Sequence, residues 1–169
     1  MSKNGFTLIE MLIYIAIIGG ILASFVSFSL SISNSRNKTY VVQEVQANTR
    51  EALSIITQKI RSASGVNITN SRFDVDPGYL YLTNASTTLN PTIIRLNHDN
   101  GVVEIKEGAN ASTTIMADEV RVINFIFANL TGGSRENIGI NMTVEYGNPS
   151  NDPNFAYSQS LQTSVSVRY

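Results

Sequence analysis

The chain has 169 residues, enough for one small domain and an accessory segment. Twelve Lys and Arg against thirteen Asp and Glu leave a net charge of −1, so no strong field favours nucleic acid or acidic lipid. The absence of Cys excludes a disulfide framework, thiol catalysis and cysteine-ligated metal, and one His excludes a multi-histidine metal site. Charged residues make up 15%, against about 25% in an average soluble protein. With 43% hydrophobic residues, this balance implies a local apolar concentration and a surface of Ser, Thr and Asn.

The apolar concentration is N-terminal. From Phe6 to Leu30 the chain reads FTLIEMLIYIAIIGGILASFVSFSL, with Glu10 as its one charge. A helix of that length rises about 37 Å, enough to cross a hydrocarbon core of about 30 Å. A removable secretory signal would have a shorter apolar region ending in small residues at a cleavage site, and nothing of that form follows. Glu10 lies about a turn inside the run, where an ionisable group is costly unless paired and marks a functional position by default. Ala16, Gly19, Gly20, Ala23 and Ser24 give overlapping small-xxx-small spacings. These permit either close helix–helix approach or a lipid-facing position.

Lys3-Asn4-Gly5 followed by Phe6-Thr7-Leu8-Ile9-Glu10-Met11-Leu12 resembles the prepilin signature of type IV pilins and type II secretion pseudopilins. The resemblance implies a leader, residues 1–5, cut after Gly5 by prepilin peptidase, with N-methylation of the new terminus at Phe6. It implies that Glu10 helps the subunit enter a filament by pairing with a neighbour's terminal amine. A carboxylate and an ammonium can neutralise each other in an apolar filament core, where a lone carboxylate would be far more costly. The resemblance also implies other pilin or pseudopilin subunits as partners through the N-terminal helix. It implies an inner-membrane single span before assembly and an extracytoplasmic head. Many filament pilins carry a Pro deeper in this helix; residues 24–28 here have none.

No Pro occurs before residue 77. Val41, Val42, Val45, Ala52, Leu53, Ile56, Ile60 and Ala63 recur at three- and four-residue spacings, predicting an amphipathic helical extension over 31–63. Gln43, Glu44, Arg50, Glu51, Lys59 and Arg61 fall on its polar side. Ser31–Asn37 is the weakest stretch, expected to fray or bend, and Ser64-Gly65 is a stop signal. Five basic and two acidic side chains in residues 36–61 give a stripe that either meets acidic neighbours or is simply solvated.

From residue 64 to 169 the pattern is short strands and turns. Strands are predicted at 79–83, 92–96 and 102–106, the last two joined by a turn holding Asn100-Gly101. Residues 120–130 read as a longer strand, buried on both faces or bulged, and 138–146 and 161–169 alternate. The expected fold is α+β and pilin-like: a long N-terminal helix, transmembrane in its first half, packed on an antiparallel β-sheet head. The order of these pieces is similar to minor pilins of the PilW type and the minor pseudopilin J of type II secretion. Major pilins often close the C-terminal region with a disulfide, which a chain without Cys cannot make.

Nothing else nominates chemistry. Asp74-Val-Asp76-Pro-Gly78 reads as a Pro-Gly turn, since a calcium loop needs further oxygen ligands. His98 reads as a turn residue with no nucleophile motif beside it. Asn84–Thr88 and Asn110–Thr114 repeat the string Asn-Ala-Ser-Thr-Thr, read as two similar turns. There is no P-loop, Gly-x-Ser-x-Gly or His-Glu-x-x-His. The head carries ten acidic and six basic side chains, a poor balance for direct nucleic-acid binding. The expectation is therefore a structural subunit, not an enzyme, with no cofactor or metal. It would help initiate or cap a type IV pilus or type II secretion pseudopilus. A competence pseudopilus subunit for DNA uptake and a membrane-anchored adhesin are the alternatives.

Overall fold

The computed structural model describes residues 5, 7–133, 135–148 and 151–168. One long helix, α1, runs Leu8–Ser62. The chain divides into two compact units, one up to Thr39 and one from Tyr40 onward.

In the first unit the helix is apolar and uncovered. Its large hydrophobic residues from Leu8 to Leu30 are between 48% and 80% exposed, so nothing among the described residues buries them. Two of its serines are closed locally. Ser24 Oγ donates to the Gly20 carbonyl at 2.9 Å and Ser27 Oγ to the Ala23 carbonyl at 3.0 Å. A hydroxyl bonded to the carbonyl four residues back presents no unsatisfied donor to an apolar surrounding. Residues 31–37, expected to fray or bend, are helical throughout. Thr39 closes on the Ser35 carbonyl at 2.9 Å in the same manner.

In the second unit, residues 40–62 of α1 carry the expected stripe. Val41, Val45, Ala52, Leu53, Ile56 and Ile60 are buried, and Val42 is half-buried. Two polar residues join them. Thr49 Oγ1 donates to the Val45 carbonyl at 2.6 Å, which lets its methyl face the core. Asn48 Oδ1 accepts from the Ala117 N–H at 3.0 Å, while its amide donates to Glu44 Oε1 at 2.9 Å. Lys59, expected in water, is half-buried because it pairs with Glu107 at 2.6 Å.

The head strands form two antiparallel sheets. The first has the order β1 (Gly65–Val66), β2 (Tyr79–Thr83), β3 (Thr92–Asn97), β4 (Val102–Glu107), β5 (Thr113–Thr114); the second has β6 (Val120–Asn129), β7 (Asn137–Tyr146), β8 (Ser158–Ser166). Every neighbour in space is a neighbour in sequence, the topology that short turns produce. Strand β6 is bulged between Val122 and Asn124, which resolves its long apolar reading: the alternation slips once and leaves Ile123 outside. Strand β8 begins three residues earlier than the sequence pattern suggests. The two Asn-Ala-Ser-Thr-Thr strings differ: the first is an irregular loop, whereas the second contains β5.

The two sheets are tied by the segment before β2. Gly78 N–H donates to the Phe125 carbonyl at 2.6 Å and Asp74 N–H to the Phe127 carbonyl at 2.8 Å. Between them, Asp76 Oδ1 accepts from the Phe125 N–H at 2.8 Å. Phe125 and Phe127 are fully buried, with ring centroids 4.7 Å apart at 69°. They pack in one cluster with Ile56, Ile60, Leu80, Leu82, Ile94 and Met142. Burying each such side chain is worth about 1.5–3 kcal/mol, so the amphipathic half of α1 is held by its stripe rather than by helix propensity.

Candidate functional site

The sequence-derived site residues lie along the N-terminal end of α1. Gly5 is exposed and non-helical, and a side chain built at it would meet nothing within 4 Å. Phe6, the expected methylated residue, and residues 1–4 of the expected leader lie outside the described residues.

Thr7 and Glu10 form a reciprocal pair that the sequence reading did not identify. Glu10 N–H donates to Thr7 Oγ1 at 3.4 Å, and Glu10 Oε2 accepts from the Thr7 N–H at 3.4 Å. The Thr7 hydroxyl also lies 3.4 Å from Glu10 Oε2. The first helical bond runs from Met11 N–H to the Thr7 carbonyl at 3.2 Å. This is a capping box, in which Thr-x-x-Glu satisfies donors that the first helical turn leaves open. Its signal, a Thr three residues before a Glu at the head of an apolar run, was in the sequence. The positive end of the helix dipole also favours a carboxylate at Glu10. Glu10 thus has a structural task within the chain, and its side chain stays exposed. Among the described residues no basic group forms an ion pair with it.

Ala16, Gly19, Gly20 and Ala23 are all exposed. A Cβ added at Gly19 or Gly20 would meet nothing within 4 Å. Among the described residues no second element uses their smallness.

The remaining candidates resolve into structure. Asp76 caps a β6 amide, which gives the Asp-x-Asp-Pro-Gly string a role in joining the sheets. His98 is exposed in the β3–β4 turn. That turn closes through Gly101 N–H to the Asn97 carbonyl at 2.8 Å. Among the described residues no three His, Asp or Glu side chains gather as a metal site.

One helix, α1, is long and apolar enough to cross a membrane by length and composition. Residues 1–26 match the prokaryotic N-terminal methylation motif. That match supports a type IV pilin-like prepilin, with the processing by prepilin peptidase and assembly with other pilins that the motif implies. It covers Gly5, Phe6, Glu10 and the small residues through Ala23, and it stops short of the head. No curated protein and no solved structure matches the chain.

Proposed function

We propose that this protein is a minor pilin or pseudopilin, a structural subunit that helps initiate or cap assembly of a type IV pilus or type II secretion pseudopilus. The observation that carries the reading is the methylation motif at residues 1–26 running into an apolar helix that the chain leaves uncovered. Such a surface needs lipid before assembly and other helices after it.

In this reading the leader of residues 1–5 is removed after Gly5, and the new amine on Phe6 is methylated. The subunit waits as a single span in the inner membrane with its head outside. Glu10 then pairs with the terminal amine of a neighbouring subunit, and Ala16, Gly19, Gly20 and Ala23 let helix backbones approach closely. The capping box gives Glu10 a second role: it holds the first turn together, so the carboxylate stands at a fixed place when a neighbour arrives. The head resembles the PilW and pseudopilin J type in the order of its elements, and this supports a minor rather than a major subunit. The protein acts by packing, and no catalytic step is assigned to it.

The test is quantitative mass spectrometry of sheared surface filaments beside the membrane fraction. The expected N-terminal peptide starts at methylated Phe6, at a few copies per filament. Dominant abundance would make it a major subunit, and an intact Met1 or a cut elsewhere would overturn the pilin reading.

A further inference from the structure

Among the described residues the head leaves one long sheet edge open. Long open edges are templates for pairing with another chain, and proteins normally shorten, cover or charge them. The first sheet ends in β1 and β5, each of two residues. The β6 edge of the second sheet is covered by Asp74, Asp76 and Gly78, whose bonds to Phe125 and Phe127 are described above. Strand β8, at the other edge, has nine residues, SQSLQTSVS. It has no charge and no Pro, and it pairs with β7 without a register shift.

The ladder fixes which groups of β8 are open. Val167 N–H donates to the Glu136 carbonyl and Tyr146 N–H to the Tyr157 carbonyl, each at 3.0 Å. Odd-numbered residues of β8 therefore bond to β7. The backbone N–H and C=O of Ser160, Gln162 and Ser164 point the other way, and among the described residues they make no backbone bond there.

Beside this edge lies a cleft of about 660 Å³ between β8 and the flank of α1, lined by Arg50, Leu53 and Arg61 of the helix and by Thr163 and Arg168. No carboxylate lines it. None of its three arginines forms an ion pair among the described residues, where the pairs are Lys59–Glu107 and Arg95–Glu104. Arg50 and Arg61 are about 16 Å apart along the helix, at 1.5 Å per residue. On an extended strand, positions four residues apart share a face and lie about 13 Å apart, a spacing that the long Arg50 and Arg61 side chains bridge.

We infer that β8 accepts an extended acidic strand from a partner subunit, which adds to the sheet as a fourth strand and sets its inward carboxylates against Arg50, Arg61 and Arg168. Main-chain bonds to Ser160, Gln162 and Ser164 supply affinity, and the arginines select for acid at inward positions about four residues apart. That the donor is another subunit rests on the assembly reading above; the open edge and the cleft do not.

The test uses the full chain in detergent micelles. The probe is a labelled nine-residue peptide of Thr and Val with Asp at its third and seventh positions, and binding is read by fluorescence anisotropy. The acidic peptide is expected to bind, and the same peptide with Lys at those positions to bind at least tenfold more weakly. Arg50→Ser combined with Arg61→Ser is expected to weaken the acidic peptide at least tenfold. Gln162→Pro removes an outward N–H and no β7 bond, which an edge strand tolerates; it is expected to abolish binding while circular dichroism stays unchanged. If Gln162→Pro fails to fold, hydrogen exchange on the unaltered protein decides. The peptide must slow the Ser160, Gln162 and Ser164 amides, and no slowing overturns the inference. Equal binding of the Lys peptide overturns it. So does full binding by folded Gln162→Pro, with inorganic phosphate displacing the peptide, because the cleft is then an anion site only. Failure of any of these arms leaves the N-terminal processing test untouched, and an intact Met1 would remove the filament partner without removing peptide binding.

Discussion

Helix α1 contains two helices in the physical sense. From Leu8 to Leu30 its large apolar residues point in every direction and stay exposed, while from Val41 to Ile60 one stripe is buried and the rest is polar. The polar atoms differ in the same way. Ser24 and Ser27 bond back to their own helix, whereas Asn48 and Lys59 bond outward, to Ala117 and Glu107. The first stretch presents an uncovered apolar surface and needs an apolar surrounding. The second is completed by its own head. The difference shows that helix formation and helix burial are separate problems, solved here by separate sequence patterns.

The largest effect is expected at Glu10, where the two tasks can be pulled apart. Glu10→Ala removes both the cap and the charge. Glu10→Gln keeps a side chain that can serve a capping box and removes only the charge. If charge pairing drives assembly, both variants should fall at least tenfold in filament incorporation, measured as the ratio of filament to membrane protein, while both remain in the membrane. Normal incorporation of Glu10→Gln would instead assign the residue to helix capping.

The head answers to different changes. Phe127 is fully buried and packs on Phe125, so Phe127→Ala should cost about 3–5 kcal/mol of stability in denaturant unfolding. It should leave the proposed removal of the leader unchanged, since that site is elsewhere in the chain. A loss of cleavage in this variant would mean that the peptidase requires a folded head.

A smaller effect is expected at the junction of the sheets. Asp76→Ala leaves the Phe125 N–H without its partner and should cost about 1–3 kcal/mol. Asp76→Asn keeps an acceptor at the same place and should recover most of that loss. Should Asp76→Asn be as unstable as Asp76→Ala, the negative charge rather than the acceptor is what the junction needs.

These positions also mark what the sequence made legible. The stripe from Val41 to Ile60 and strands β2, β3, β4 and β7 were readable because each repeats a period of burial along several residues. The N-terminal methylation motif was readable because it is contiguous, at residues 1–26. Asn48 and Asp76 were not, because the role of each depends on a partner distant in sequence, the Ala117 N–H for Asn48 and the Phe125 N–H for Asp76; buried Thr49 closes locally on the Val45 carbonyl, and its hydroxyl masked it as a polar position. Strands β1 and β5 are too short to show a period and exist through their neighbours. The Thr7–Glu10 box was local and still missed, since Glu10 already had a reading in assembly.

The smallest predicted effect tests the β3–β4 hairpin. Arg95 Nη2 donates to Glu104 Oε2 at 2.9 Å and Asn97 Nδ2 to Glu104 Oε1 at 2.8 Å. The Asn97 amide first, and then Arg95, hold the Glu104 carboxyl below its ordinary value, against a partial burial that pushes it up. A depressed folded value means that the unfolded chain takes up the proton first as pH falls. The contribution of Glu104 is therefore complete above the ordinary glutamate value and is lost as pH falls through the lower folded one. Arg95 is half exposed, so the pair is screened and its contribution is modest. The expected result is a shallow loss of stability on the acid side of the ordinary glutamate value, flattened in Glu104→Gln and read from denaturant midpoints across that range. An equally steep loss in Glu104→Gln would place the acid sensitivity of the head in other carboxylates and leave this pair as a surface contact without weight.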